Sequence, residues 1–253
     1  MDSRRAMTGS FVADAPTAEQ DGGFHSPTLH RLLAASTILR RLALGLMSRI
    51  ELAILSGHKD AGSLRTIKSA RRGRESLLSG NEAFVLHSLA RAQSGLDGVM
   101  AEVGVYQGCS AKIISTASGG VSLHLFDTFE GLPEPGVGEK SHLRTGLYAA
   151  SLQSVKKFLA DRSGVSFYPG LFPQTAADCP GEAFSFVHLD VDLKSSTLDC
   201  LAYFYPRMVR GGIILIHDYS YLGGVKEALV EFLNHHSERL IELPTSQAMI
   251  VKL

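Results

Sequence analysis

From Asn81 onward the chain alternates short apolar runs with stretches of helical periodicity. VMAEVGV, VSLHLFDTF, VSFYPG, FSFVHLDV and GGIILIHDY read as strands. Helical stretches follow them near SAKIISTAS, ASLQSVKKFLADR, FPQTAADC, STLDCLAYFYPRM and GVKEALVEFLNHH. Continuous apolar strands between helices are what a parallel sheet covered on both faces requires. The alternation breaks at the end, where RLIEL and AMIVKL are separated only by residues 244–247. That gap is too short for a parallel crossover and predicts an antiparallel hairpin. The expected fold is therefore α/β, a seven-stranded, mostly parallel sheet ending in a hairpin. Asn81 with Glu82 is expected to open a capped helix over EAFVLHSLARAQ.

The chain upstream is read as a tail over residues 1–28, rich in small and polar residues, then a helical extension over 29–75, with the main domain at 76–253. Residues 29–57 are expected to form helix by composition and length, with arginines around several faces, which favours packing on the domain or on a second subunit over a membrane surface. KSARRGR, residues 68–74, reads as a solvated basic connector, with phosphate binding as the alternative. The longest uncharged stretch in the most apolar helix, Leu42 to Ser48, falls far short of the ~20 residues a bilayer span needs. No apolar core follows the first arginines, so no secretory signal is expected. With 25 basic and 25 acidic residues, nothing points to nucleic acid. Cys109, Cys179 and Cys200 are odd in number and far apart, which fits unpaired thiols and a cytoplasmic location.

The stretch AEVGVYQGCS, residues 101–110, carries the first chemical signal. A carboxylate ends an apolar run at Glu102, and glycines follow at Gly104 and Gly108. A phosphate-binding turn uses backbone N–H groups and avoids a nearby carboxylate. Glu102 therefore suits a ligand with an amino-acid end and no phosphates, namely S-adenosylmethionine. Asp127 ends the next strand, nineteen residues after Gly108, where an acid can take both ribose hydroxyls. The seven-strand pattern with its hairpin resembles the Rossmann-like class I S-adenosylmethionine-dependent methyltransferase domain. The expected cofactor contacts are Glu102, Gly104, Tyr106, Gly108, Ser110, Asp127, Thr128, Gly170, Phe172 and Asp190. Of these, Tyr106, like Cys109 beside it, reads as a packing residue of the turn, and Gly170 and Phe172 are expected at the adenine edge.

The acceptor side falls at the fourth and fifth strands. FSFVHLDVDLKSST places Asp190 and Asp192 at the carboxyl end of the fourth strand, and GGIILIHDYS places His217 and Asp218 at the same end of the fifth. Ligands of open α/β sheets bind beyond these ends, so Asp190, His217 and Asp218 are expected to converge near the methyl donor. A bound metal that lowers a water pKa from ~15.7 to ~7 is worth ~12 kcal/mol of alkoxide-like stabilisation. A lone general base gives ~3 to 5 kcal/mol. An unactivated sugar hydroxyl therefore favours metal assistance, and a phenol needs it less.

The segments EVGVYQGCS, FDTFEGLPEP, LDVDLKSSTLDCLAYFYPRMVRGGIILIHDY and GVKEALVEF together resemble the macrocin O-methyltransferase family, over roughly residues 75–253. That resemblance implies a magnesium-dependent enzyme methylating sugar hydroxyls, with metal ligands at Asp190 and at the pair His217–Asp218. The sequence departs from the family where His217-Asp218-Tyr219 replaces Asp-Asp-Tyr. Magnesium prefers oxygen ligands and imidazole suits softer metals, so His217 is read either as a ligand or as the base. The loop at residues 131–148 reads as a lid. Its Lys140, His142 and Arg144 are expected to face the acceptor, with His142 a second candidate base. Tyr219, Tyr221 and Gly223–Gly224 are expected to border the acceptor, unless Gly224 simply opens the next helix.

The expected protein is thus a cytoplasmic O-methyltransferase for a hydroxyl of a sugar, natural product or glycan. The competing readings are a catechol-like phenol methyltransferase and an inactive cofactor-binding scaffold. The N-terminal helices are expected either to support a homo-oligomer or to cover the acceptor site, and the sequence does not choose between the two.

Overall fold

The computed structural model describes residues 37–139, 143–179 and 181–253, with side chains from residue 45 onward. Seven strands make one sheet in the order β3-β2-β1-β4-β5-β7-β6. They are β1 Val99–Val103, β2 Leu123–Asp127, β3 Val165–Pro169, β4 Phe184–Leu189, β5 Met208–Ile216, β6 Leu240–Glu242 and β7 Ala248–Val251. β1 to β5 are parallel, while β7 lies antiparallel to both β5 and β6. The chain builds outward from β1 to β3, then returns to place β4 on the other side of β1. The direction of winding therefore reverses between β1 and β4, where an open α/β sheet has its ligand crevice.

The helices are α1 Thr37–Ser56, α2 Ala61–Ala70, α3 Gly80–Gln93, α4 Cys109–Ala117, α5 Leu152–Phe158, α6 Lys194–Phe204 and α7 Gly223–Leu233. FPQTAADC, expected as a helix, holds only a 3-10 turn at Gln174–Asp178. Residues 43–253 form one compact unit. On one face of its sheet, Phe126, Val187, Leu189, Ile214 and Ile216 pack with Leu201 and Phe204 of α6 and Val225 and Leu229 of α7. On the other face, Met100, Leu125, Phe186 and Leu215 pack with Leu55 of α1, Ile67 of α2, Leu86 of α3 and Ile113 of α4. A strand with both faces covered has no need to alternate, and β4 is buried at every position. Cys109, Cys179 and Cys200 are free and buried. No described helix is long and apolar enough to cross a membrane.

Two local expectations need correction. The cap of α3 is Ser79, not Asn81: its side chain accepts from Glu82 N while Glu82 accepts from Ser79 N at 2.7 Å, a reciprocal capping box. The basic stretch is not a solvated loop either. Lys68 belongs to α2, and Arg71 donates to the Leu78 carbonyl at 2.7 Å. Arg74 donates to the Ser154 hydroxyl and carbonyl at 2.9 and 2.8 Å and lies over the Phe158 ring. Arg71 thus meets a carbonyl of the loop before α3, and Arg74 ties this segment to α5, which composition alone does not reveal. The tail expected over residues 1–28 lies outside the described residues.

Candidate active site

β1 ends at Val103, and the turn after it is built on two glycines with positive φ, Gly104 at 86° and Gly108 at 83°. A Cβ at Gly104 would collide with the Asp190 carbonyl beyond β4. The turn and the first acid after β4 are thus in backbone contact across the switch point. Gly108 begins α4 with no side-chain cap, which leaves the first N–H groups of that helix for an anionic group. Asp127, at the end of β2, holds the turn from the other side. Its Oδ2 accepts from Val105 N and Tyr106 N at 2.6 and 3.0 Å, and its Oδ1 accepts from Phe129 N at 2.6 Å. These bonds use three of roughly four acceptor positions on the carboxylate. The acid expected to serve a ribose is therefore first a backbone clamp.

Glu102 and His188 face each other from adjacent positions of β1 and β4, with His188 Nδ1 donating to Glu102 Oε1 at 2.8 Å. Both side chains are 0% exposed. Burial pushes the Glu102 carboxyl above its usual range, and the pull of His188 and Ser110 opposes this. Glu102 Oε2 and His188 Nε2 are buried without a hydrogen-bond partner in good geometry. An orphan carboxylate oxygen under a glycine turn is a fitting place for an ammonium, so the residues present fit the donor inferred from the sequence. Sequence reasoning missed His188. The available signal was an ionisable residue inside each of two apolar strands expected near the same crevice.

Beyond β4 and β5, Asp190, His217 and Asp218 come together as expected. His217 Nδ1 lies 3.2 Å from Asp190 Oδ1 and 3.2 Å from Asp218 Oδ2. These three side chains offer ligand atoms all within 4.8 Å of one another, and among the described residues they are the group that could hold a metal ion. On its other side, His217 Nε2 lies 3.6 Å from Glu82 Oε2, and the Ser246 hydroxyl donates to Glu82 Oε1 at 2.5 Å. Burial disfavours a charged His217, but Asp190 and Asp218 outweigh it and hold its pKa well above the usual value. Burial, followed by Asp190 and Asp218, raises the Asp192 carboxyl well above its usual range. Glu82 is the second residue that sequence reasoning left out of the site, because its helix-capping role explained it fully.

Tyr106, Asp192 and Asp218 take left-handed φ values of 47°, 60° and 57°. Each such non-glycine residue costs roughly 1–3 kcal/mol, and here they lie after β1, β4 and β5. Backbone strain therefore gathers at the carboxyl ends of these strands, the crest of the sheet.

Several expected contacts are occupied otherwise. The Thr128 hydroxyl donates to the Gly131 carbonyl at 2.7 Å and accepts from Glu130 N at 3.1 Å, closing its own turn. The Tyr106 hydroxyl donates to Glu75 Oε2 at 2.9 Å. Gly170 N donates to the Asp127 carbonyl at 2.9 Å, which keeps Gly170 beside the end of β2. Phe172, expected at the adenine edge, is a core residue: it stacks on Phe204 at 5.4 Å and meets Phe126 and Tyr203 edge-on. Tyr219 is 5% exposed and donates to Glu242 Oε1 at 3.1 Å, so it braces the hairpin instead of bordering an acceptor. Gly223 opens α7, and Arg144 is exposed. Lys140 and His142, the second candidate base among them, lie outside the described residues.

The macrocin-O-methyltransferase (TylF) family profile matches residues 86–245. One relative, 8-demethyl-8-(2,3-dimethoxy-alpha-L-rhamnosyl)-tetracenomycin-C 4'-O-methyltransferase from Streptomyces olivaceus, is 32% identical over 143 residues, 50% of this chain and 54% of that protein. The chain thus spans about half the length of that curated relative. The fold is that of the O-methyltransferase NovP, with a TM-score of 0.62 at 20% identity, over 83% of this chain and 98% of the other. It is also that of CalS11, a calicheamicin methyltransferase, with a TM-score of 0.60 at 18% identity, over 81% and 91%. With a profile match running from α3 through the hairpin loop, across both halves of the crest, this chain belongs to the macrocin-O-methyltransferase (TylF) family.

Proposed function

We propose that the protein transfers a methyl group from S-adenosylmethionine to a hydroxyl of a sugar or sugar-bearing natural product, with a divalent cation at Asp190, His217 and Asp218. The observation that carries this reading is the contact between Gly104 and the Asp190 carbonyl, which sets the donor turn directly against the acid–histidine cluster. The tetracenomycin relative's name refers to a rhamnosyl compound, which supports a sugar acceptor.

S-adenosylmethionine, when bound, supplies an electrophilic methyl group. For that cofactor, Glu102 Oε2 suits the amino group, the open N-terminus of α4 suits the carboxylate, and the remaining acceptor capacity of Asp127 suits the ribose. A divalent cation, when bound, lowers the pKa of an acceptor hydroxyl near it. As a ligand His217 would be neutral, a cation taking the place of the proton that Asp190 and Asp218 otherwise favour on it; with Nε2–H turned to Glu82, its Nδ1 lone pair would be free for the cation, as where a carboxylate orients a metal-binding histidine. Asp190 and Asp218 supply the negative charge. The mixed oxygen–nitrogen set suits manganese or another transition metal at least as well as magnesium.

A panel of sugars and glycosides incubated with labelled donor and analysed by mass spectrometry tests the reading. Methylation of a sugar hydroxyl is expected. Chelation should lower its rate at least about 100-fold, with recovery on adding Mg2+ or Mn2+. A chelator-resistant rate confined to phenols would replace this reading with the catechol-like one. Chelator-resistant sugar methylation would instead make His217 the base.

A further inference from the structure

Glu102 on β1 and His188 on β4 stand side by side in one row across the sheet, Leu125–Glu102–His188–Leu215. All four residues are 0% exposed. Both flanking leucines belong to the core on the α1–α4 side, so within the row the two polar side chains have only each other. A buried ionisable pair of this kind is costly, and an apolar pair of similar volume is often as stable or more so. The fold alone therefore gives no reason for it. The crest above does. Two residues further along the two chain segments come Gly104 and Asp190, which meet in backbone contact at the crevice. The Glu102–His188 pair thus lies one pleat beneath the donor turn.

The two oxygens of Glu102 are treated differently. Oε1 lies 2.8 Å from His188 Nδ1. An ionised carboxylate only accepts, so the proton of this bond sits on the imidazole. Oε2 is buried without a hydrogen-bond partner in good geometry. One oxygen is therefore fixed by the neighbouring strand, and the other is left for a ligand. The last torsion of a glutamate is broad, and the bond to His188 removes that freedom. The His188 ring also meets the His217 ring edge-on at 6.3 Å. With β4 lying between β1 and β5, the imidazole stands between Glu102 and the acid–histidine cluster.

We propose that His188 is a positioning residue for the methyl donor: by holding Glu102 Oε1 it keeps Oε2 for an amino group, and so makes the site select ligands that carry an amino-acid end. This role rests on the donor placement proposed above, and it needs neither a metal nor turnover. His188 acts through Glu102 alone and takes no part in the chemistry.

Calorimetric titration of the whole chain with two ligands tests this. One is S-adenosylhomocysteine; the other is 5′-methylthioadenosine, which has the same nucleoside and a thioether but no amino-acid end. The readout is the ratio of the two affinities, which in the parent should favour S-adenosylhomocysteine. His188→Leu removes the N–H donor and should cut that preference at least about tenfold, the scale of one hydrogen bond to a charged group. Binding of 5′-methylthioadenosine should stay within about threefold of the parent. His188→Met, also without a donor, gives the same reading if the leucine variant does not fold. His188→Asn offers an amide N–H near the place of Nδ1–H and should restore the preference to within about threefold. Equal weakening of both ligands in the leucine and methionine variants would make His188 an ordinary core residue and overturn the role. So would an unchanged preference in those variants, or no recovery in His188→Asn. A parent that binds both ligands equally would instead overturn the placing of the amino group at Glu102, and the role with it, so the two failures are told apart by the parent alone.

Discussion

Gly104→Ala abolishes S-adenosylhomocysteine binding in calorimetric titration at concentrations where the parent saturates. The first cost is conformational: an L-residue at φ of 86° is strained by ~1–2 kcal/mol. The second is larger, because the new methyl group runs into the Asp190 carbonyl, which is backbone and cannot rotate away. Asp190 N donates to the Val103 carbonyl at 2.9 Å, so the two strand ends are already bonded to each other there. Relief requires the ends of β1 and β4 to separate, which displaces the turn over Glu102 and Asp190 together. A loss of at least about 100-fold in affinity, or ~2.7 kcal/mol, is the expected minimum. Gly108→Ala is the informative comparison. It has a similar φ of 83°, but its Cβ would meet the Val155 side chain at 3.0 Å, which can adjust. A weakening of about tenfold is expected there. Parent-like binding by Gly104→Ala, with an unchanged melting temperature, would contradict the close contact between the turn after β1 and the Asp190 carbonyl.

Asp190→Ala and Asp218→Ala each lower the initial rate of methyl transfer at least about 1,000-fold, in a protein that still melts cooperatively. His217 is 6% exposed and sits between these two carboxylates and Glu82. Removing either aspartate withdraws a ligand atom from the only described cluster that could hold a metal ion and leaves the imidazole with less counter-charge. A metal's share of activation exceeds that of a single base, so the expected loss lies at or beyond the top of the general-base range. His217→Asp, which restores the all-oxygen pattern of Asp-Asp-Tyr, separates ligand from base. Retained or increased rate with Mg2+ fits a ligand position, and loss of the rate under every metal fits a base. Full turnover by both alanine variants would remove the cluster from the chemistry.

Much of the architecture was legible because its causes are local or periodic. Strands buried on both faces must be continuously apolar, and a four-residue gap before AMIVKL permits only a hairpin. Glu102, Gly104 and Asp127 stood out as candidates for a related reason. A carboxylate in an apolar run and glycines at a strand end are expensive or strained unless a site needs them. What could not be read were pairings between distant segments. His188 gains its meaning from Glu102, 86 positions away, and Ser246 from Glu82, 164 away. Glu82 was also hidden by sufficiency, since the capping box accounts for it without reference to His217. Phe172 misled in the opposite way. Its place after β3 suggested a ligand edge, but a ring of aromatic partners on α6 claims it for the core. Asp127 has both a local and a ligand reading, and three backbone N–H bonds to one carboxylate show that the clamp is built into the fold.

The most direct test is a crystal structure of the protein soaked with S-adenosylhomocysteine. The account requires its amino group at Glu102 Oε2, its carboxylate at the start of α4 and its ribose at Asp127. Product bound elsewhere on the molecule, or a crevice that stays solvent-filled at saturating concentration, would contradict it.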